Sequence, residues 1–244
     1  MKALLSPISP IVIACSLVML FSNLAMADTL RGEWKLDEGA GNIAYDTSGN
    51  GYDGNLTPPG GPTWITDGRS GTALHFDGVD DYVEIPNTSN WNFADGFTLD
   101  MWVRSTSYNP NSDILSKHIS GIGAGYLVGI FSYGEVGFYV NDDILIGTQG
   151  INDGVWHHII ASYMNGYQYL SVDLQQFGPR EQEYNLFSPA NIRIGGAYAG
   201  VNTGGFVGDI DEVRIYEIPE PATLSLLALG GLAVTRRSRK RSRP

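Results

Sequence analysis

Between Asp28 and Ile218 the apolar residues never hold the 3.6-residue period of a helix for a dozen positions, and alternate instead over short segments broken by Gly, Asn, Asp and Pro clusters. That pattern confines the stretch to an almost wholly β architecture. In Phe97-Thr-Leu-Asp-Met-Trp-Val-Arg104, Phe97, Leu99, Met101 and Val103 share one face while Thr98, Asp100 and Arg104 share the other, the signature of a half-buried strand. Comparable runs at 32–36, 74–76, 82–85, 114–116, 126–131, 136–140, 156–163, 167–174, 192–194 and 207–216 predict eleven or more strands. Ser132-Tyr-Gly-Glu135 and Met164-Asn-Gly-Tyr167 between such runs read as hairpin turns. Many short strands in one domain suit a two-sheet antiparallel sandwich. The 31 glycines supply the turns, and 43% hydrophobic residues suffice for a core, which excludes a disordered chain.

The formal charge of −11 hides a polarity, because six of the fifteen Lys and Arg residues lie between Arg236 and the C-terminus. Residues 28–218 hold eight basic and 25 acidic side chains, a net charge of −17. Such a body repels phosphate backbones and argues against nucleic acid as partner, while offering carboxylates to hard cations.

The two ends carry addresses. Residues 1–27 show Lys2, an apolar run from Ile11 to Phe21, and small residues at Ala25 and Ala27, as a secretory signal cleaved before Asp28 does. The lone Cys15 leaves with it, so the mature chain has no disulfide. At the other end Pro219, Glu220 and Pro221 precede an apolar segment, 222–234, and an Arg-rich tail, 236–243, that includes Arg236 and Arg237. The order reads as a short transmembrane helix held transiently in the inner membrane by cytoplasmic arginines. These three zones, 218–244, resemble the PEP-CTERM signal of Gram-negative bacteria. The resemblance implies that an exosortase cuts near Pro-Glu-Pro and releases the protein to the cell surface or extracellular matrix.

Within 28–217 the words Gly32-Glu-Trp-Lys-Leu36, Asp46-Thr-Ser-Gly-Asn-Gly-Tyr-Asp-Gly54, Leu74-His-Phe-Asp-Gly78, Asp80-Asp-Tyr-Val-Glu-Ile-Pro86, Asp153-Gly-Val-Trp-His-His-Ile159 and Gly208-Asp-Ile-Asp-Glu-Val-Arg-Ile-Tyr216 resemble, in order and spacing, the laminin-G-like, concanavalin A-like jelly-roll family. The fold expected is therefore a single all-β jelly-roll sandwich. Val172-Asp-Leu174 departs from the Val-Asp-Gly common in the family. Because that fold hosts lectins, adhesion domains and some glycosidases, the resemblance implies binding of glycan or exopolysaccharide, or of a surface protein, without choosing between them.

Asp46, Ser48 and Asn50 place oxygens at alternate positions with Gly51 sixth, as calcium loops do, although Thr57 stands where an EF-hand closes with a carboxylate. The family resemblance nominates Asp211, on the last strand, as a further ligand for a structural calcium. The same loop residues also make Asx turns to their own backbone. Asp77-Gly-Val-Asp80-Asp81 is a second acidic turn that can hold a cation or face water. Trp156-His157-His158 cannot converge on one metal, since adjacent strand residues point to opposite faces, and reads as a core Trp with one packed and one exposed His. No strand carries Glu-x-Asp-x-Glu, no Gly-x-Ser-x-Gly elbow appears and no organic-cofactor motif is present, so the chain is expected not to be an enzyme. Sugars stack on rings and bond to amides, which nominates Tyr108, Asn109 and Asn111 in one loop and Tyr198 and Asn202 in another.

Overall fold

In the computed structural model the strands run in chain order as β1 (Thr29–Trp34), β2 (Ile43–Ala44), β3 (Gly54–Thr57), β4 (Thr63–Ile65), β5 (Ala73–Asp77), β6 (Tyr82–Ile85), β7 (Gly96–Arg104), β8 (Ser112–Ile119), β9 (Ala124–Ile130), β10 (Glu135–Val140), β11 (Asp143–Gly150), β12 (His157–Met164), β13 (Tyr167–Val172), β14 (Gln175–Glu181), β15 (Ile192–Ile194) and β16 (Val207–Glu217). The structure describes residues 28–86, 88–107, 110, 112–119, 124–141, 143–183, 188–196 and 205–219. The expected helix 222–234, the cleavage residues Ala25 and Ala27, and Glu220, Pro221, Arg236 and Arg237 lie outside them. Among the described residues no helix is long and apolar enough to cross a membrane.

The strands form two antiparallel sheets of eight, the all-β jelly-roll sandwich expected. The first is ordered β14-β13-β12-β7-β16-β5-β4 with β1 also paired to β16, and the second β11-β10-β9-β8-β15-β6-β3-β2. Residues Thr29–Ile218 are a compact unit that contains the whole core, from Trp34 to Ile215, and therefore can fold by itself.

Alternation decides the first sheet. Phe97, Leu99, Met101 and Val103 of β7, and Ile159, Ala161 and Tyr163 of β12, are buried between the sheets, and their neighbours turn outward. Phe97 lies 4.4 Å from Tyr126 and 6.1 Å from Phe138, centroid to centroid, which ties the two sheets through aromatic contact. Asn165 and Gly166 take the two left-handed positions of the β12–β13 hairpin, as Asn-Gly requires. At the β13–β14 hairpin those positions fall to Asp173 and Leu174, with φ of 47° and 73°. Leu174 is thereby held in a conformation that favours glycine, with its side chain 85% exposed.

The second sheet obeys a different rule. All of β9 and all but the last residue of β8 are buried, so both faces of these strands are covered. Lys117, paired with Tyr126 and pointing with it toward the core, is fully buried, and its ammonium donates to the carbonyls of Ser188 and Ala190. Burial pulls its pKa down to about 8.

Candidate functional site

One end of the sandwich gathers the roots of both loops nominated for ligand binding. Asp113, entering β8, forms a parallel bridge with Gly205, just before β16. Ser105 Oγ donates to the Val207 carbonyl at 2.7 Å, and Gly195 N to the Ile114 carbonyl at 2.8 Å. The segments that leave β7 and β15 are thus stitched to the segments that return. Tyr108, Asn109, Asn111, Tyr198 and Asn202 themselves lie outside the described residues.

The acidic turn packs against these roots through glycine. A Cβ on Gly205 would stand 2.9–3.1 Å from Gly78, and one on Gly78, at φ +80°, would strike Val207. Only bare backbone permits that approach. In the turn Asp77, Asp80 and Asp81 bring ligand atoms within 4.8 Å of one another, among the described residues the one group of three or more His, Cys, Asp or Glu side chains so placed. Val79 N donates to Asp77 Oδ1 at 2.8 Å and Asp77 N to Asp81 Oδ2 at 3.1 Å, so the turn is also closed by its own backbone. Burial, then the Asp77 and Asp80 charges, raises the Asp81 carboxyl above its ordinary range.

The four residues nominated for calcium are placed differently. Asp46 Oδ1 accepts from Glu33 N at 3.0 Å and Ser48 N at 2.9 Å, and Oδ2 from Tyr52 N at 2.9 Å. Burial raises this carboxyl, but the bonds from Ser48, Tyr52 and Glu33 outweigh it and hold the pKa below the usual range. Ser48 Oγ reaches the Arg31 carbonyl at 3.4 Å, and Asn50 Nδ2 donates to the Leu30 and Arg31 carbonyls at 3.2 and 3.0 Å, fastening the loop to β1. Asp211 serves another loop. Fully buried, it accepts from Ser70 N at 3.0 Å and Glu212 N at 2.8 Å, and burial pushes its pKa up to about 6. The four serve separate hydrogen-bond networks: Asp46 closes an Asx turn, and Asp211 pins residues 69–70 to the first sheet.

The Trp-His-His run divides as strand geometry requires. His157 is buried, with Nδ1 2.6 Å from Asp173 Oδ2 and Nε2 3.0 Å from Asp153 Oδ1. Burial lowers its pKa, but the two carboxylates prevail and raise it above the ordinary value. His158, on the opposite face, meets Asp100 at 2.8 Å and stacks on Trp102 with ring centroids 4.7 Å apart. Trp156 is not in the core; it is half-exposed, beneath the Arg104 guanidinium at 4.7 Å, because it precedes β12 rather than lying within it.

These contacts belong to ladders across the outer face of the first sheet. One row runs Asp211, Trp102, His158, and the next His75, Asp209, Arg104. Arg104 is held by Asp209 at 2.8 Å, by Asp67 Oδ2 at 2.8 Å and by the Asp67 carbonyl. The sequence had signalled this face at Trp102, an aromatic residue at a polar-face position of β7, which the reading of that strand passed over.

With this architecture in view the chain can be placed. Residues 77–221, more than half of it, match the family model of the Concanavalin A-like lectin/glucanases superfamily, and the chain belongs to that family. Residues 217–240 match the PEP-CTERM protein-sorting motif, which marks the chain for export and sorting to the cell surface. No curated protein sequence matches. Among solved structures the chain is similar to domain 4 of AbnA, a GH43 extracellular arabinanase from Geobacillus stearothermophilus in complex with arabinotriose, at 19% identity over 82% of this chain and 98% of that domain, with a TM-score of 0.60. It is also similar to the binding domain of botulinum neurotoxin DC in complex with rat synaptotagmin II, at 14% identity, 82% and 51% coverage and a TM-score of 0.57. A Trypanosoma rangeli sialidase mutant with trans-sialidase activity matches at 15% identity, 80% and 32% coverage and a TM-score of 0.58, so the chain spans about a third of that enzyme. At these identities the likeness is one of fold.

Proposed function

We propose that this protein is an exported, non-catalytic carbohydrate-binding module, freed from the inner membrane by an exosortase and associated with exopolysaccharide at the cell surface or in the extracellular matrix. The observation that carries the reading is the Asp113–Gly205 bridge, which sets the roots of the Tyr108 and Tyr198 loops side by side beside the acidic turn. Two loops bearing aromatic and amide side chains, rooted on a rigid double sheet, suit a sugar chain lying across the end of the sandwich. The likeness to a complete domain whose structure holds arabinotriose supports the same reading. Calcium, if the protein uses it, would belong to the Asp77, Asp80 and Asp81 turn more readily than to Asp46.

The test is glycan-array binding by residues 29–218, with the host's exopolysaccharide as one spot. Selective binding that Tyr108→Ala and Tyr198→Ala each weaken supports the reading. Binding that neither variant affects, or silence from folded protein, refutes the loop site. A protein partner is the second reading, favoured by Tyr133 and Leu174, each 85% exposed at left-handed φ where the backbone would be easier with glycine.

A further inference from the structure

Six described arginines share this acidic sandwich, and five have carboxylate partners: Arg31 with Glu217, Arg104 with Asp67 and Asp209, Arg180 with Asp143, Arg193 with Glu84, and Arg214 with Glu33 and Glu212. Among the described residues Arg69 alone has none. Its guanidinium lies over the Trp102 ring, 4.2 Å from the centroid, and His158 stacks on the same residue with ring centroids 4.7 Å apart. His158 is fixed in turn by Asp100 at 2.8 Å. The backbone is held as firmly as the side chain. Gly68 N bonds to the Gly71 carbonyl, Ser70 N to buried Asp211, and Thr72 N to Asp37 Oδ1, so residues 67–72 are fastened on both sides of Arg69. Arg69 is exposed at the surface, so the N–H donors of its guanidinium that do not face the ring are open to solvent.

A solvent-facing arginine ordinarily loses side-chain freedom when it binds. Here contact with the Trp102 ring restricts that freedom, and the fork suits a planar, two-oxygen acceptor. The net charge of −17 works against any polyanion as a whole, so an acidic ligand would be held by this one fork and not by a basic surface. Position suggests the occupant. The Trp102 row adjoins the row of Arg104, Asp209 and His75, and His75 is two residues from Asp77 in the acidic turn at the loop end. A chain lying across that end and down the outer face of the first sheet would pass Arg69.

We propose that Arg69, braced on Trp102, is a subsite for the carboxylate of an acidic sugar, so that the polysaccharide recognised carries uronic acid residues. The proposal rests on the glycan-binding reading above and names the chemistry of its ligand.

The experiment titrates residues 29–218, wild type, Arg69→Ala and Arg69→Lys, by calorimetry with tri-galacturonate, arabinotriose and poly-glutamate, after thermal melts show all three proteins folded. The expected result is binding of tri-galacturonate that Arg69→Ala weakens at least tenfold and that Arg69→Lys restores only in part. Quenching of Trp102 fluorescence by tri-galacturonate, lost in Trp102→Phe, would place the contact. Binding of tri-galacturonate unchanged in Arg69→Ala, or binding of arabinotriose only, overturns the Arg69 subsite and leaves the glycan reading standing. Arg69-dependent binding of poly-glutamate as tight as that of tri-galacturonate overturns the sugar assignment. Silence toward both sugars overturns the subsite, and the glycan reading then stands or falls on the array.

Discussion

The two sheets of this sandwich solve burial in opposite ways. In the second, β8 and β9 are covered on both faces, so polar residues such as Lys117, Asp113 and Ser116 are drawn inside and must find partners there. In the first, β7 and β12 bury one face only, and the other is held by ion pairs, stacked rings and loops tied down through single carboxylates. Apolar cover secures one region and polar ties the other. The difference teaches where a ligand can reach the molecule: the first sheet keeps an open, chemically varied outer face, and the middle strands of the second do not.

The largest expected effect tests the cover. Leu127 lies on the outward side of β9 beside Ser116, yet is nearly fully buried, so Leu127→Ala should cost about 2–4 kcal/mol in urea denaturation. Ile160, on the outer face of β12 opposite Asp100, is half-buried, and Ile160→Ala should cost less than about 1 kcal/mol. Equal losses would erase the contrast between the sheets.

The polar ties come next. Asp46→Ala removes the acceptor for three backbone amides and should cost about 1–2 kcal/mol, to the same extent with calcium or with EDTA. A loss confined to calcium-containing buffer would reinstate Asp46 as a ligand. His157 supplies a pH-dependent tie of about 1–2 kcal/mol. Its pKa is raised on folding, so its contribution is complete below the unfolded value of 6.5 and is lost as pH rises through the higher folded value. Asp153 and Asp173 are shifted down, so theirs is present above 3.8 and lost as pH falls through their folded values. The stability gap between wild type and His157→Gln should therefore be widest near pH 5 and narrow above neutrality; a gap that widened with pH would contradict the bridge. The smallest effect has the opposite sign. Leu174→Gly should stabilise the hairpin by about 0.5–1 kcal/mol, since glycine suits φ of 73° better, and no gain in melting temperature would mean the leucine packs against something.

What was legible in the sequence follows the same divide. β7, β12, β13 and β16 were readable because one buried face imposes alternation. β11 and β14 were passed over, for both are edge strands whose faces are partly or fully exposed, and Gln175–Glu181 is mostly polar with a proline inside. β8 was read as three residues of its eight, since Ser112, Asp113, Lys117 and His118 are polar yet buried through contacts no local pattern announces. The acidic turn could be seen as a word, but its place beside Gly205 depends on a contact across more than a hundred residues of sequence. Asp211 was visible as a carboxylate on the last strand; that it ties down Ser70 comes from a loop crossing the sheet, which sequence spacing does not encode.

β16 starts at the loop end, where Val207 faces Asp77, and runs the length of the first sheet to Glu217, where the matched sorting motif begins. A pull between the loop end and the C-terminal end of the domain would run along this one strand. Its neighbours β7, β5 and β1 flank it through bonds perpendicular to the pull, which must slide together rather than unzip one at a time. The last strand is thus oriented as a tension member.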